Sequence, residues 1–383
     1  MKAILLVPRL PGTGFTGDRL RAEIHLQALR DAGFETTIVG GAGPREKPHV
    51  PLAARVLPVA LAPARVPFAV ARALVSGDPF QSALFAGDFR AALKKAGGAD
   101  LVVALLLPRL LAHVAGALPE APLVVDFVDA LAEAARQAAR HEPALWRRAY
   151  WTVEAPRLAR AEERAALGAA VLLATTPADA ANLPRGTRAV ANGVVLLPAG
   201  PALRGPLVAF TGRLMYRPNR LAAQRLLEDI WPRVKRTVPD ARLLFGGADA
   251  PDEIRAAGGQ GGVEVVSPVP DMAAFLRRAR VVVAPVDLGT GTPNKLFEAF
   301  EAGAAVVASP GAALRAASSG GLPPARTADT DEEFARAIAD YLGDPERAAR
   351  DGAMGRAFVE AHADRRASVA GFVAAYRAAK VTP

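Results

Sequence analysis

The segment DLGTGTPNKLFEAFEAGAAVVAS (287–309) carries the residue types of an anion site. Gly289 and Gly291 let backbone amides turn toward a ligand, Thr292 suits the cap of a following helix, and Pro293 suits its first position, where a missing N–H costs nothing. The amides unpaired at such a helix start, with about half a positive charge from the helix dipole, attract an anion. Lys295 adds a cation one turn in, and Glu298 lies one turn further. A diphosphate held there would place an attached ribose near the Glu298 carboxylate, which can accept from both ribose hydroxyls. The competing reading is a Lys295–Glu298 pair at i, i+3, worth only about 0.2–0.5 kcal/mol. The preceding Gly-Thr-Gly-Thr-Pro and the apolar runs on both sides favour the ligand.

A second glycine loop, PGTGFTGDR (11–19), follows the apolar run AILLV (3–7) and fits G-x-G-x-x-G. A dinucleotide fold ends its strand at the first glycine and places an acid about 20 residues past the loop. Here four residues separate Val7 from Gly12, and the next strand ends IVGG (38–41) with no acid, which disfavours an oxidoreductase. The loop reads instead as a substrate loop, with Gly14, Gly17, Asp18 and Arg19 as its contacts. In VVDFVD (124–129), Asp126 and Asp129 follow a buried strand and are expected to reach the floor of an interdomain cleft. Either can hydrogen-bond an acceptor hydroxyl or a transferred sugar; Asp129 also suits the cap of a helix starting near Ala130. His25 and His113 lie in helical patterns and read as packed or surface histidines.

The elements that must position these residues alternate. Runs at 3–7, 35–39, 100–106, 122–128 and 170–176 are separated by helical patterns such as 19–32 and 146–167. The scheme repeats with runs at 207–212, 241–247, 263–269, 280–286 and 304–309, and helices at 220–237, 272–279 and 294–302. Such alternation predicts βαβ units: two doubly wound, Rossmann-like parallel-sheet domains facing each other across a cleft. The Gly/Pro-rich stretch ANGVVLLPAGPALRGP (191–206) reads as the linker. Domains are expected over 1–198 and 199–360, with a helix over 361–383 returning to the first.

Composition narrows the partners. With 47 basic and 38 acidic residues the net charge is +9, which favours phosphate-bearing ligands or an anionic membrane surface. The basic residues are dispersed among few aromatics, so no nucleic-acid partner is expected. No cysteine and five histidines without ligand spacing leave no metal site, and the cysteine-free chain fits a cytoplasmic setting. The most apolar stretch is broken by Pro108 and Arg109, so no span is expected. Residues 57–95, apolar with Arg65, Arg72, Arg90, Lys94 and Lys95, offer either an amphipathic surface for peripheral contact with the membrane or helices covering the first sheet.

The segment GTPNKLFEAFEAGAAVVAS resembles the donor-site segment of glycosyltransferase family 4, as do ANGV (191–194) and FTGRLMYRPN (210–219). VVDFVD, the triplet at 17–19 and SGDPF (76–80) resemble the bacterial exopolysaccharide and PEP-CTERM-associated members. The resemblance implies the GT-B fold and metal-independent, retaining transfer of a sugar from a nucleotide-diphosphate co-substrate to a saccharide or lipid-linked acceptor, with no cofactor. It assigns Glu298 to the donor ribose and Arg213 and Lys295 to the diphosphate. Gly212, Arg217, Asn294 and the loop from Gly289 to Thr292 complete the donor contacts. Thr290 stands where the family has a sugar-binding Glu, and Pro218 where it has a Lys, a charge that Arg217 or Lys295 must then supply. A nucleotide-sugar epimerase and a non-catalytic binding homologue are the alternatives.

Overall fold

Alternate residues of each central strand face opposite sides of its sheet and enter different cores. Ala3, Leu5 and Val7 pack into one cluster, with Ile4 and Leu6 in another; Val208 and Phe210 face one side of the second sheet, Ala209 the other. Both faces of both sheets are therefore covered, as long unbroken β-branched runs require. The computed structural model describes every residue except 12–16, 44–49, 51, 54, 200–204, 287–293, 318–320 and 382–383.

The first unit comprises Met1–Asn192 and Arg366–Pro383, and the second Gly193–Arg365, so the expected boundaries at 198 and 360 move by a few residues each. The first carries strands β1 (Lys2–Val7), β2 (Glu35–Ala42), β3 (Arg55–Ala60), β4 (Leu101–Leu105), β5 (Leu123–Asp126), β6 (Val171–Ala174) and β7 (Arg188–Ala189). They pair in the order β3-β2-β1-β4-β5-β6-β7, all parallel. The second carries β8 (Leu207–Thr211), β9 (Arg242–Gly246), β10 (Val263–Val266), β11 (Val281–Ala284), β12 (Ala305–Ala308) and β13 (Arg326–Thr327). Their order, β10-β9-β8-β11-β12-β13, is again all parallel. The two expected Rossmann-like domains are thus present, and in each the strand order reverses once, at β1/β4 and at β8/β11. Ligands of such sheets bind beyond the carboxyl ends at that reversal.

The stretch 191–206 is less of a free linker than its composition predicts. Val194 forms a bridge with Asp364, and a Cβ on Gly193 would come within 2.4 Å of the Arg365 backbone, so only glycine fits there. Leu197 is held from both sides of its peptide: its N–H donates to Glu301, and its carbonyl accepts from Arg356.

The helix Arg365–Val381 packs into the first unit, burying Phe372 and Tyr376 in the same core as β1 and β4. Phe372→Ala is accordingly expected to destabilise the first unit by about 3–5 kcal/mol in equilibrium urea unfolding. A loss below about 1 kcal/mol would mean that the helix is not part of that core.

Candidate functional site

In the second unit the chain leaves β8 through Thr211, Gly212 and Arg213. Gly212 has φ 143° and Gly247, after β9, φ 149°. A Cβ on Gly247 would lie 1.7 Å from the Gly212 carbonyl oxygen, and one on Gly212 2.8 Å from Asn219. The two loops approach as closely as backbones can, which only glycine permits.

The close approach makes room for a side-chain relay. Lys295 Nζ donates to Asn219 Oδ1 at 2.7 Å and stands 4.5 Å from the centre of the Phe210 ring. Asn219 Nδ2 donates to the Arg213 carbonyl at 3.0 Å. Asn219, which sequence reading did not select, thereby ties the helix Arg217–Arg225 to the helix Asn294–Glu301. Its signal was in FTGRLMYRPN, two residues after the position of Arg217. Pro218 lies in the first turn of its helix, where it removes no hydrogen bond.

Burial outweighs the neighbouring Glu298 and, with Arg315 adding repulsion, brings the Lys295 ammonium down to about 7. Burial likewise pushes Glu298 up to about 7, against the pull of Lys295 and with the Glu301 charge adding to the rise. Lys295 is therefore not the standing full charge that its sequence position implies, and an arriving anion would favour its charged form. Arg213 Nε donates to Asp249 at 2.8 Å in an exposed pair, and Arg217 is half-buried at the start of its helix. Two buried polar atoms here, Thr211 Oγ1 and Asn294 Oδ1, lack a hydrogen-bond partner among the described residues. Buried polar atoms are rarely left so, and a ligand is one way to satisfy them. The Gly289, Thr290, Gly291 and Thr292 expectations lie outside the described residues, as does Gly14.

In the first unit the two aspartates separate. Asp126, expected to reach a substrate, is fully buried. Its Oδ2 accepts from Arg21 Nε and His25 Nε2, both at 2.7 Å, and its Oδ1 accepts from the Val128 N–H at 2.9 Å. Burial alone would raise its pKa, but Arg21 and His25 hold the carboxyl well below the usual carboxylate range. The correction has a simple cause: a buried guanidinium needs a counter-ion, and Asp126 is it. Arg21 also donates to the carbonyls of Val190 and Ala174 and to Asn192 Oδ1, placing the Asn of ANGV in a structural role. His25 is lowered by burial against the pull of Asp126, so its neutral ring donates from Nε2 and accepts the Tyr376 hydroxyl at Nδ1, 2.6 Å away.

Asp129 stays half-buried, with no hydrogen bond to its carboxylate among the described residues. Burial and the nearby Asp179 push it up to about 7, opposed by Arg109 and Arg21, with Asp18 adding a small rise. It does not cap the following helix. The Ala130 and Ala132 N–H groups donate instead to Asp179 and Glu162. Gly17, Asp18 and Arg19 form the first turn of the helix Gly17–Asp31. SGDPF is held by structural contacts: Glu154 accepts from the Phe80 and Gln81 N–H groups, and Arg164 pairs with Asp78 at 3.0 Å.

Residues 205–344, within the second unit, match the family model for glycosyl transferases group 1. Sucrose-phosphate synthase from Thermosynechococcus elongatus shares the fold at a TM-score of 0.71 and 18% identity, over 98% of each chain. HepE of Anabaena, in complex with UDP and glucose, aligns at 0.67 and 14% over 97% of this chain and 98% of its own. WaaG, a glycosyltransferase involved in lipopolysaccharide biosynthesis, aligns at 0.62 and 13% over 97% and 98%. At these identities the likeness is one of fold. No curated protein matches the chain. The family match is thus confined to part of the second unit, and over the whole chain the likeness shows the GT-B fold.

The Lys295–Glu298 pair sets a pH dependence. Between the ordinary glutamate value and about 7, folded Glu298 binds more proton than the unfolded chain, so stability falls as pH rises. From about 7 up to the ordinary lysine value, folded Lys295 binds less, so stability rises again. A shallow trough near neutrality is expected in urea unfolding from pH 5 to 9, and Lys295→Met with Glu298→Gln should flatten it; an unchanged profile would refute the assignment.

Proposed function

We propose that this protein is a retaining glycosyltransferase that moves a sugar from a nucleotide-diphosphate donor to a saccharide or lipid-linked hydroxyl in bacterial surface polysaccharide or glycoconjugate synthesis. The observation that carries the reading is the Asn219-held Lys295 at the β8/β11 reversal, with Glu298 one turn further along the same helix, inside the segment that matches the family model. Solved relatives by fold add support: HepE structures hold UDP or UDP-glucose, and TarM was solved with UDP.

Lys295, Arg213 and the amides of 289–292 bind the diphosphate, Glu298 the ribose. As the bond between the anomeric carbon and the phosphate oxygen breaks, negative charge grows on the departing diphosphate and positive charge on the sugar ring. Preorganised cations and amides at the leaving group are the largest contribution a protein can make there. Lys295, brought to its charged form when the anionic diphosphate binds, offsets that growing charge. The acceptor oxygen attacks the anomeric carbon from the face the diphosphate leaves, and a phosphate oxygen takes its proton. Asp129, the aspartate not consumed by Arg21, orients the acceptor hydroxyl or the transferred sugar.

A thermal-shift screen against UDP, GDP, ADP and TDP sugars tests the donor class, since a ligand at 100 times its Kd adds about 2.7 kcal/mol. Glu298→Ala is expected to weaken nucleotide binding at least about tenfold, or 1.4 kcal/mol, and to abolish turnover. Asp129→Asn should lower kcat with donor affinity retained. Full activity in Glu298→Ala would sink the donor assignment.

A peripheral membrane contact is part of the same proposal. The helix Val66–Ser76 buries only Ala73 and leaves Phe68 79% and Val75 92% exposed, beside exposed Arg65 and Arg72. Leu145 and Trp146 are also exposed, at the start of the helix Leu145–Ala166. Apolar side chains among arginines suit an anionic lipid surface. Among the described residues no helix is long and apolar enough to cross a membrane. Flotation with anionic liposomes is expected to carry the protein and to fail with Phe68→Asp/Val75→Asp; no lipid-dependent flotation of the wild type overturns the contact.

A further inference from the structure

We propose that Asp126 is a positioning residue that fixes two chain turns beyond the first sheet, at Leu106 and Val128, and through them sets where Arg109 and Asp129 stand. What Asp129 meets there rests on the function proposed above; the positioning itself does not.

Both turns need holding. Leu106 has φ 48° and Val128 φ 64°, in the left-handed region that bulky and β-branched residues avoid. Such conformations persist only where surroundings over-determine them, and they gather at functional sites. The two residues follow adjacent parallel strands, β4 and β5, and both side chains are buried in one core cluster with Leu131.

Asp126 holds each of them. Its backbone carbonyl accepts from the Leu106 N–H at 2.8 Å, and its Oδ1 accepts from the Val128 N–H at 2.9 Å. Oδ2 is fixed by Arg21 and His25, so the carboxylate has no freedom to turn. The far side of the second turn is clamped from β6: the Val128 carbonyl accepts from Thr175 N at 2.9 Å and from Thr175 Oγ1 at 2.5 Å. Asp129 N–H closes back onto Phe127 O at 2.8 Å.

A charge follows each turn: Arg109 three residues past Leu106, and Asp129 next after Val128. The Asp129 carboxyl faces Arg109, Arg21, Asp179 and Asp18. Asp179 is already engaged with Thr176 and the Ala130 N–H. Asp129, half-buried, is the acid of this turn that does not pair with Arg21.

A purely structural Asp126 would neutralise Arg21 and do nothing more. Thr175→Val and Val128→Gly separate the two roles, because each loosens the turn and leaves the Arg21–Asp126 pair intact. Val128→Gly folds readily in this respect, since glycine is at ease at positive φ. The full-length protein and both variants, labelled with ¹³C at aspartate carboxyls, are titrated by NMR, with Asp129→Asn assigning the resonance. The Asp129 midpoint is expected to move by about one pH unit or more in at least one variant, a tenfold change in proton affinity. With a donor in hand, kcat should fall about tenfold while KM for the donor is unchanged, a transition-state effect without lost ground-state binding. Lower melting temperatures with an unmoved Asp129 midpoint in both variants overturn the proposal. A moved midpoint in a protein without transfer activity would leave positioning standing and reject the proposed function instead.

Discussion

A buried ion pair organises the first unit. Arg21 and Asp126 meet at 2.7 Å with neither side chain exposed, 105 residues apart in sequence. Removing two charges from water is costly, and such a pair persists only when every remaining donor and acceptor is also satisfied. Here the guanidinium reaches the ends of the chain runs at Ala174, Val190 and Asn192, and its face lies over Phe372. Helix Gly17–Asp31, the ends of β5 and β6, the chain just after β7 and the returning C-terminal helix are held by one cation. Losing either partner would strand the other, at a cost of about 3–5 kcal/mol.

The second unit is organised by a different use of burial. Lys295 and Glu298 sit on one helix face, each desolvated enough to move toward neutrality. In the first unit an ion pair is made permanent by hydrogen bonds on all sides. In the second, two groups of opposite charge are left poised, with Asn219 as the lysine's hydrogen-bond partner. One arrangement suits a scaffold; the other suits a place where charge must arrive and leave.

Much of the architecture was legible because buried parallel strands require unbroken aliphatic runs. All ten long runs in the sequence became strands, and the helical segments between them fell within a few residues of their places. What escaped were edges. β3 contains Pro58, which an edge strand tolerates because one side of its ladder is unpaired. β7 and β13 are two residues each, too short to carry a period. Asn219 escaped for another reason: a lone polar residue near a helix start has no pattern until its partner, 76 residues on, is placed beside it.

The sequence by itself determined the two-sheet α/β plan and the lysine and glutamate on one helix face after an apolar strand. These are local properties: side-chain period and spacing along a helix. Tertiary structure alone decided which of two aspartates three residues apart is spent on Arg21 and which stays out of that pair, and whether Lys295 keeps its charge. Those outcomes depend on burial and on partners about a hundred residues away, because the free energy of a charge is set by what replaces its water, and the chain supplies that only when folded.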